Sequence, residues 1–314
     1  VSDAIEGLTF ALASMGRGPE AVGIIEEFVA SNPDRLAADS VALRKGMIYF
    51  DNGEYDLADS LFAKLLADFP ESRLQAEAAY HIGKGREYRG DLEGAIAQYE
   101  MVAARFPTSS ATAVTLADMG ALKFYRKDYV GARANFTTII ESFGETSFVN
   151  QARLGAGRSA LHLADTTGAV RQFRYLIDSA TVIGSDIYID RSRIALAEVY
   201  HARDSVDVAL ELLAAVTSRR RDSPAAEALL KRGRILVEIN DLSAALADLR
   251  RLAEEFEDYT DFVEPGLFEL GLLYEKLTDT AAALRSYQRL VERTEDEDLR
   301  TKAGERIAAL GGGE

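Results

Sequence analysis

The apolar positions of this chain follow a helical period set inside a longer one. Gly46, Tyr49, Ala58, Phe62, Leu65 and Pro70 are followed, at a constant step of 37, by Gly83, Arg86, Ala95, Tyr99, Val102 and Pro107. With Gly46 as anchor, eight copies begin at Thr9, Gly46, Gly83, Gly120, Gly157, Ala197, Gly233 and Gly271. Twelve residues after each anchor stands an alanine, from Ala21 to Ala283. Large apolar residues follow at +16 (Ile25, Phe62, Tyr99, Phe136, Phe173, Leu213, Leu249, Tyr287) and at +19 (Phe28 to Leu290). Spaced three apart, they share one helix face and are expected to fill the gap between hairpins. Small residues in the other two columns let helices approach closely. A fixed period of this size marks a repeat array, each copy burying one face against its neighbours.

The breaks between helices keep the same period. Glu54, Asp91, Asp128, Asp165, Ser205, Asp241 and Asp279 stand eight residues after their anchors. Asp and Ser are good N-caps, and Glu suits the positive end of a helix. Gly16, Gly53 and Gly90 stand just before, where a helix C-terminus favours glycine. Pro33, Pro70 and Pro107 close the second helix of a copy. The pattern predicts an all-α chain with two helices of about 12 to 15 residues per repeat. The repeats run near 1–35, 36–72, 73–109, 110–146, 147–183, 187–221, 223–257 and 261–295, in one domain over 1–314. Leu299–Leu310 repeats the first-helix pattern around Gly304 and predicts a capping helix over 297–310. The step from Gly157 to Ala197 is 40, and Ser179–Asp186 is irregular, so this joint is expected to exchange its amides fastest.

The columns of Gly46, Tyr49, Ala58, Phe62 and Pro70 resemble the tetratricopeptide repeat family, over roughly residues 2–310. Two departures are plain: the chain has no Trp, and its period is 37 where the family's is usually about 34. The resemblance implies a right-handed α-solenoid of about eight helical hairpins, used as a non-catalytic scaffold or adaptor for protein or peptide partners. It also implies a concave groove lined by the first helix of each repeat. Carried over, the groove includes Tyr80, Lys84, Tyr88, Phe124, Tyr125, Arg158 and His162, an aromatic and basic strip suited to an acidic or C-terminal peptide. Two readings stand for these residues: a binding strip, or aromatics packed between hairpins beside solvated cations. The family's carboxylate clamp is not matched, since Leu43, Tyr80 and Ala117 occupy the position of its lysine. The longer repeat with Phe-Pro-x-Ser (Phe69–Ser72, Phe106–Ser109) resembles repeats of bacterial envelope proteins. That implies the periplasm or cell envelope, with the cytoplasm as the other setting.

Charge and chemistry narrow this further. The chain carries 36 basic and 51 acidic residues, a net charge of −15, which argues against a nucleic-acid partner. No apolar run is long enough to span a membrane. Cysteine is absent, and His81, His162 and His201 are scattered, so neither thiol chemistry nor a metal or cofactor site is expected. Gly83-Lys84-Gly85 and Gly155-Ala156-Gly157 lack a preceding strand and read as packing glycines. No catalytic constellation is present. The acidic runs Glu254–Asp258 and Glu295–Asp298 read as solvated faces, and Arg219–Arg221 as a loop end or a docking spot for an acidic partner. With no leader at Val1 and no initial Met, the chain is expected to be a processed or excised piece. The alternative function is therefore an interaction domain of a larger protein whose activity lies elsewhere.

Overall fold

A computed structural model describes residues 7–9, 11–12, 14–31, 38–179, 186–218 and 221–311. Pro33, Arg219, Arg220 and the stretch 180–185 lie outside the described residues. The chain divides into two compact parts, Val1–Leu163 and Ala164–Glu314. Among the described residues both are helical, without strand. The N-terminal part contains α1 (Gly18–Ser31), α2 (Ala38–Asp51), α3 (Tyr55–Asp68), α4 (Gln75–Tyr88), α5 (Leu92–Arg105), α6 (Ser110–Tyr125), α7 (Tyr129–Ser142) and α8 (Val149–His162). The C-terminal part contains α9 (Thr166–Asp178), α10 (Asp186–His201), α11 (Val206–Thr217), α12 (Ser223–Glu238), α13 (Leu242–Glu255), α14 (Thr260–Lys276), α15 (Thr280–Arg293) and α16 (Glu297–Gly311). Each part stacks antiparallel hairpins. The backbones of successive first helices come close (α4 with α6, α12 with α14), whereas those of successive second helices stay apart (α5 with α7, α13 with α15).

The sequence columns are the packing surfaces. All eight alanines of the second column are 0% exposed, and so are Phe62, Tyr99, Phe173, Leu249 and Tyr287 of the third. The contact that couples the columns is within the hairpin. A Cβ added at Gly46 would lie 2.4 Å from the Phe62 ring, one at Gly83 2.5 Å from Tyr99, and one at Gly271 2.4 Å from Tyr287. The anchor glycine is thus the seat of its own hairpin's large side chain. Phe136 also meets the next repeat, since a Cβ at Gly155 would stand 2.5 Å from its ring. The large column therefore serves both contacts, not only the gap between hairpins. Gly83→Leu should destabilise the chain by about 1–3 kcal/mol, because Tyr99 is fully buried and has nowhere to move. An unchanged urea midpoint would contradict this seat.

The turns repeat as closely. Gly16, Gly53 and Gly90 have φ of 73°, 79° and 81°, and later repeats adopt the same left-handed conformation at Lys127, Ala164, Asp204, Asn240 and Thr278. The glycine at this point is therefore dispensable, at an energetic cost. Asp91, Asp128, Asp165, Asp241 and Asp279 each accept a hydrogen bond from the backbone N–H three residues on. Glu54 and Ser205 occupy the cap position without such a bond, contrary to the cap expected of Ser205. β-Branched Thr278, at φ 62°, is the least suited to its turn. Thr278→Gly should raise stability by about 0.5–1 kcal/mol, and Gly90→Ala should lower it comparably. Nothing lies within 4 Å of a Cβ at Gly90, so backbone strain alone would act. Opposite shifts in melting temperature test the pair.

Second helices α3 and α5 end at Phe69 and Phe106, just before Pro70 and Pro107. The capping helix forms as α16, but Gly304 is not its contact point. No atom lies near a Cβ at Gly304, whereas neighbouring Ala303 is 0% exposed. Arg306 fastens the helix to Glu275 of α14, Nε to Oε1 at 2.9 Å.

Candidate protein-interaction surface

The first helices α4, α6 and α8 carry the predicted strip, and the structure sorts its members into two kinds. Lys84 is turned inward. Its Nζ lies 3.1 Å from Asp118 Oδ2 on α6 and 3.2 Å from Glu87 Oε1. The Tyr80 hydroxyl donates to Asp118 at 2.9 Å, and the buried Tyr99 donates to Glu87 at 2.7 Å. Burial, reinforced by Asp118, pushes the Tyr80 phenol far above its ordinary range, and burial with Glu87 does the same for Tyr99. Burial opposes the charge on Lys84, but Asp118 and Glu87 outweigh it and hold its pKa above the ordinary value. One cation against two carboxylates makes this network net negative, so Lys84 is neither solvated nor free to receive an acidic ligand.

Around it lie two aromatic clusters built on one plan. Phe50, Tyr55 and Tyr88 gather with ring centroids 5.3–5.7 Å apart. Two repeats on, at a step of 74, Phe124, Tyr129 and His162 gather in the same way. Phe124 meets Tyr129 at 5.2 Å, and His162 stacks on Tyr129 at 4.1 Å with planes 3° apart. A cation rides on each cluster: Lys84 5.3 Å over Tyr88, and Arg158 5.1 Å over Phe124. Tyr88 is 55% exposed and Tyr125 78%, and Arg158 and His162 are also exposed. Arg158, unlike Lys84, forms no ion pair among the described residues. Tyr55 and Tyr129, on the second helices, complete the clusters but escaped the strip drawn on first helices alone. Their shared place in the repeat was the signal that could have found them.

His81 sits beneath the first cluster, with ring centroids 5.1 Å from Phe50, 5.6 Å from Phe62 and 5.0 Å from Tyr80. Its Nδ1 is buried without a hydrogen-bond partner. In the C-terminal part the first helices α10 and α12 are tied by paired charges. His201 meets Glu238 at 2.8 Å, Lys231 meets Glu198, and Arg234 meets Glu269 of α14 at 2.9 Å. A cavity of about 180 Å³ lies between them over Ala197, Leu213 and Ile235. The acidic runs are exposed but not merely solvated. Glu254, Glu255 and Glu257 pair with Arg250, Arg251 and Arg289, and Glu297 and Asp298 pair with Arg300 and Lys302. Arg221, the described member of its triplet, reaches Glu255 at 3.5 Å. Among the described residues no group of three His, Asp or Glu could hold a metal, and no helix is long and apolar enough to cross a membrane.

Family models of the tetratricopeptide repeat match residues 43–110, 194–260 and 266–293, together more than half of the chain. The chain belongs to the tetratricopeptide repeat family. A tetratricopeptide repeat protein from Parabacteroides merdae superposes with a TM-score of 0.50 at 16% identity, over 84% of this chain and 98% of that one. Yeast Tom70 superposes with 0.57 at 12%, over 94% and 59%. A chain of the APC/C hetero-tetramer Cut9–Hcn1 superposes with 0.53 at 13%, over 99% and 56%. At such identities the likeness is one of fold. No curated protein sequence matches the chain. The family and fold are those of protein-interaction scaffolds, which are typically non-catalytic.

Proposed function

We propose that this chain is an adaptor that holds a peptide or a partner's extended segment along the first helices of its N-terminal part. The observation that carries this reading is the pair of aromatic–cation clusters, repeated at a step of 74, with Tyr88, Tyr125, Arg158 and His162 left exposed. Exposed aromatic and arginine side chains are favoured at the energetic centres of protein interfaces. The paired state of Lys84 refines the ligand. Aromatic or aliphatic side chains suit the two clusters, and an acidic residue suits Arg158 alone. A uniformly acidic peptide would meet Glu87 and Asp118.

The test begins with the partner recovered by pull-down with the intact protein. Tyr125→Ala with Arg158→Glu should then weaken binding by at least about tenfold, roughly 1.4 kcal/mol, with the melting temperature unchanged. Full binding by that double variant would move the site off these helices. Lys84→Glu is a poor probe, because it would set a third carboxylate beside Glu87 and Asp118 and unsettle the fold.

A further inference from the structure

The outer side of the C-terminal part holds a second feature. Because the backbones of α13 and α15 stay apart, a cleft of about 380 Å³ opens between them, floored by α14. Its floor is apolar, with Leu267, Leu270, Ala253 and Ala282 all buried. Three arginines stand on its banks: Arg250 on α13, and Arg285 and Arg289 on α15. Two carboxylates share the lining, Glu254 and Asp279, and the latter is occupied in capping α15 at Ala282 N, 2.9 Å away.

Repeat packing does not demand these arginines. In the N-terminal repeats the place of Arg250 is held by Ala63 and Glu100. Ala97 and Ala134 stand at the place of Arg285, and Met101 and Thr138 at that of Arg289. Nor does the fold use all of them. Arg289 is committed, donating to the Ala253 carbonyl at 2.8 Å and pairing with Glu257. Arg250 reaches Glu254 at 3.3 Å, with both side chains more than half exposed, a pair of little strength. Arg285 is exposed and has no partner among the described residues, and the Tyr274 hydroxyl on the floor is likewise unpaired.

We infer that this cleft is a second docking site, for an acidic segment of a partner protein that sets an apolar side chain on the Leu267–Leu270 floor and a carboxylate against Arg285 and Arg250. This rests on reading the chain as a protein-binding scaffold but uses a surface other than the first-helix strip. Guanidinium groups accept carboxylates through paired hydrogen bonds. With Arg289 matched by Glu257, Arg250 and Arg285 balance Glu254 and Asp279, and Arg285 is the guanidinium left without a partner among the described residues. That matches a carboxylate better than a phosphate dianion, which Glu254 and Asp279 would repel.

The intact chain is to be tested against an array of short peptides carrying Asp or Glu beside Leu, Phe or Tyr. Matched arrays carry Asn and Gln, or phosphoserine, in place of the acids. Binding to the acidic set should be lost with the amides and weakened by salt. It should fall at least about tenfold in Arg250→Ala with Arg285→Ala, and survive Tyr125→Ala with Arg158→Glu. Arg285→Lys, which keeps the charge without the fork, should retain part of it and guards against a folding defect in the alanine pair. No binding to the acidic set, preference for phosphoserine, or full binding by the alanine pair would each overturn the assignment. Loss only in the Tyr125/Arg158 variant would also overturn it while upholding the first-helix strip. Survival in that variant with loss in the arginine pair would uphold the cleft alone.

Discussion

Replacing Arg232 by leucine should destabilise the C-terminal part by about 3–5 kcal/mol. The Arg232 guanidinium grips Asp248 with two hydrogen bonds of 2.5 Å, and its third donor reaches Thr217 Oγ1 at 3.2 Å. The Asp248 side chain is only 6% exposed, so without Arg232 a carboxylate is left almost dry and unpaired. The repeat offers its own control. Repeat six has Leu196 and Leu212 at the places held by Arg232 and Asp248 in repeat seven. Arg232→Leu with Asp248→Leu should therefore recover most of the loss, since a buried ion pair is often replaceable by apolar residues. Urea midpoints read with hydrogen exchange across α12 and α13 would show it. A single variant as stable as the parent chain would mean that Asp248 finds water or another donor.

Acid should weaken the N-terminal part through His81. Burial among Phe50, Phe62 and Tyr80 brings its pKa down to about 4, from an ordinary value of 6.5. The unfolded chain then binds the proton more readily than the folded one. Stability contributed by the neutral ring is complete above pH 6.5 and is lost as pH falls towards 4, by about 3 kcal/mol. His81→Leu should flatten that slope. The comparison is between amide protection of α3 to α5 near neutral pH and near pH 4.5, in parent and variant. Parallel losses in the two proteins would assign the acid sensitivity to carboxylates instead. Because Phe50 belongs to the first aromatic cluster, partner binding there should weaken over the same pH window.

How much of this was legible beforehand depends on whether a feature repeats. Ala58, Ala95 and Ala132 betray a helix contact because the same geometry recurs in every copy, and so do Phe62, Tyr99 and Phe136. The capping aspartates are readable for the same reason, since a cap acts within its own turn. The strip of first-helix residues came from the family resemblance instead; of its members Tyr88, Tyr125, Arg158 and His162 are exposed, and Tyr80, Lys84 and Phe124 are half-buried. The left-handed turn was legible only where glycine marks it, because Lys127, Ala164 and Thr278 carry no sign of the conformation they adopt.

The sequence by itself thus determined the helical hairpins and their seams, because local contacts printed the same residue types in copy after copy. Only the tertiary structure decided the partners of individual charges. Lys84 and Arg158 occupy equivalent places, yet Asp118 and Glu87 neutralise the first while the second stays open. Arg232 and Arg285 look alike in sequence, yet one is clasped by Asp248 and the other faces a cleft. A side chain's packing column is set by its own helix. The charge it meets is set by whatever the neighbouring helix happens to bring, and that varies from repeat to repeat.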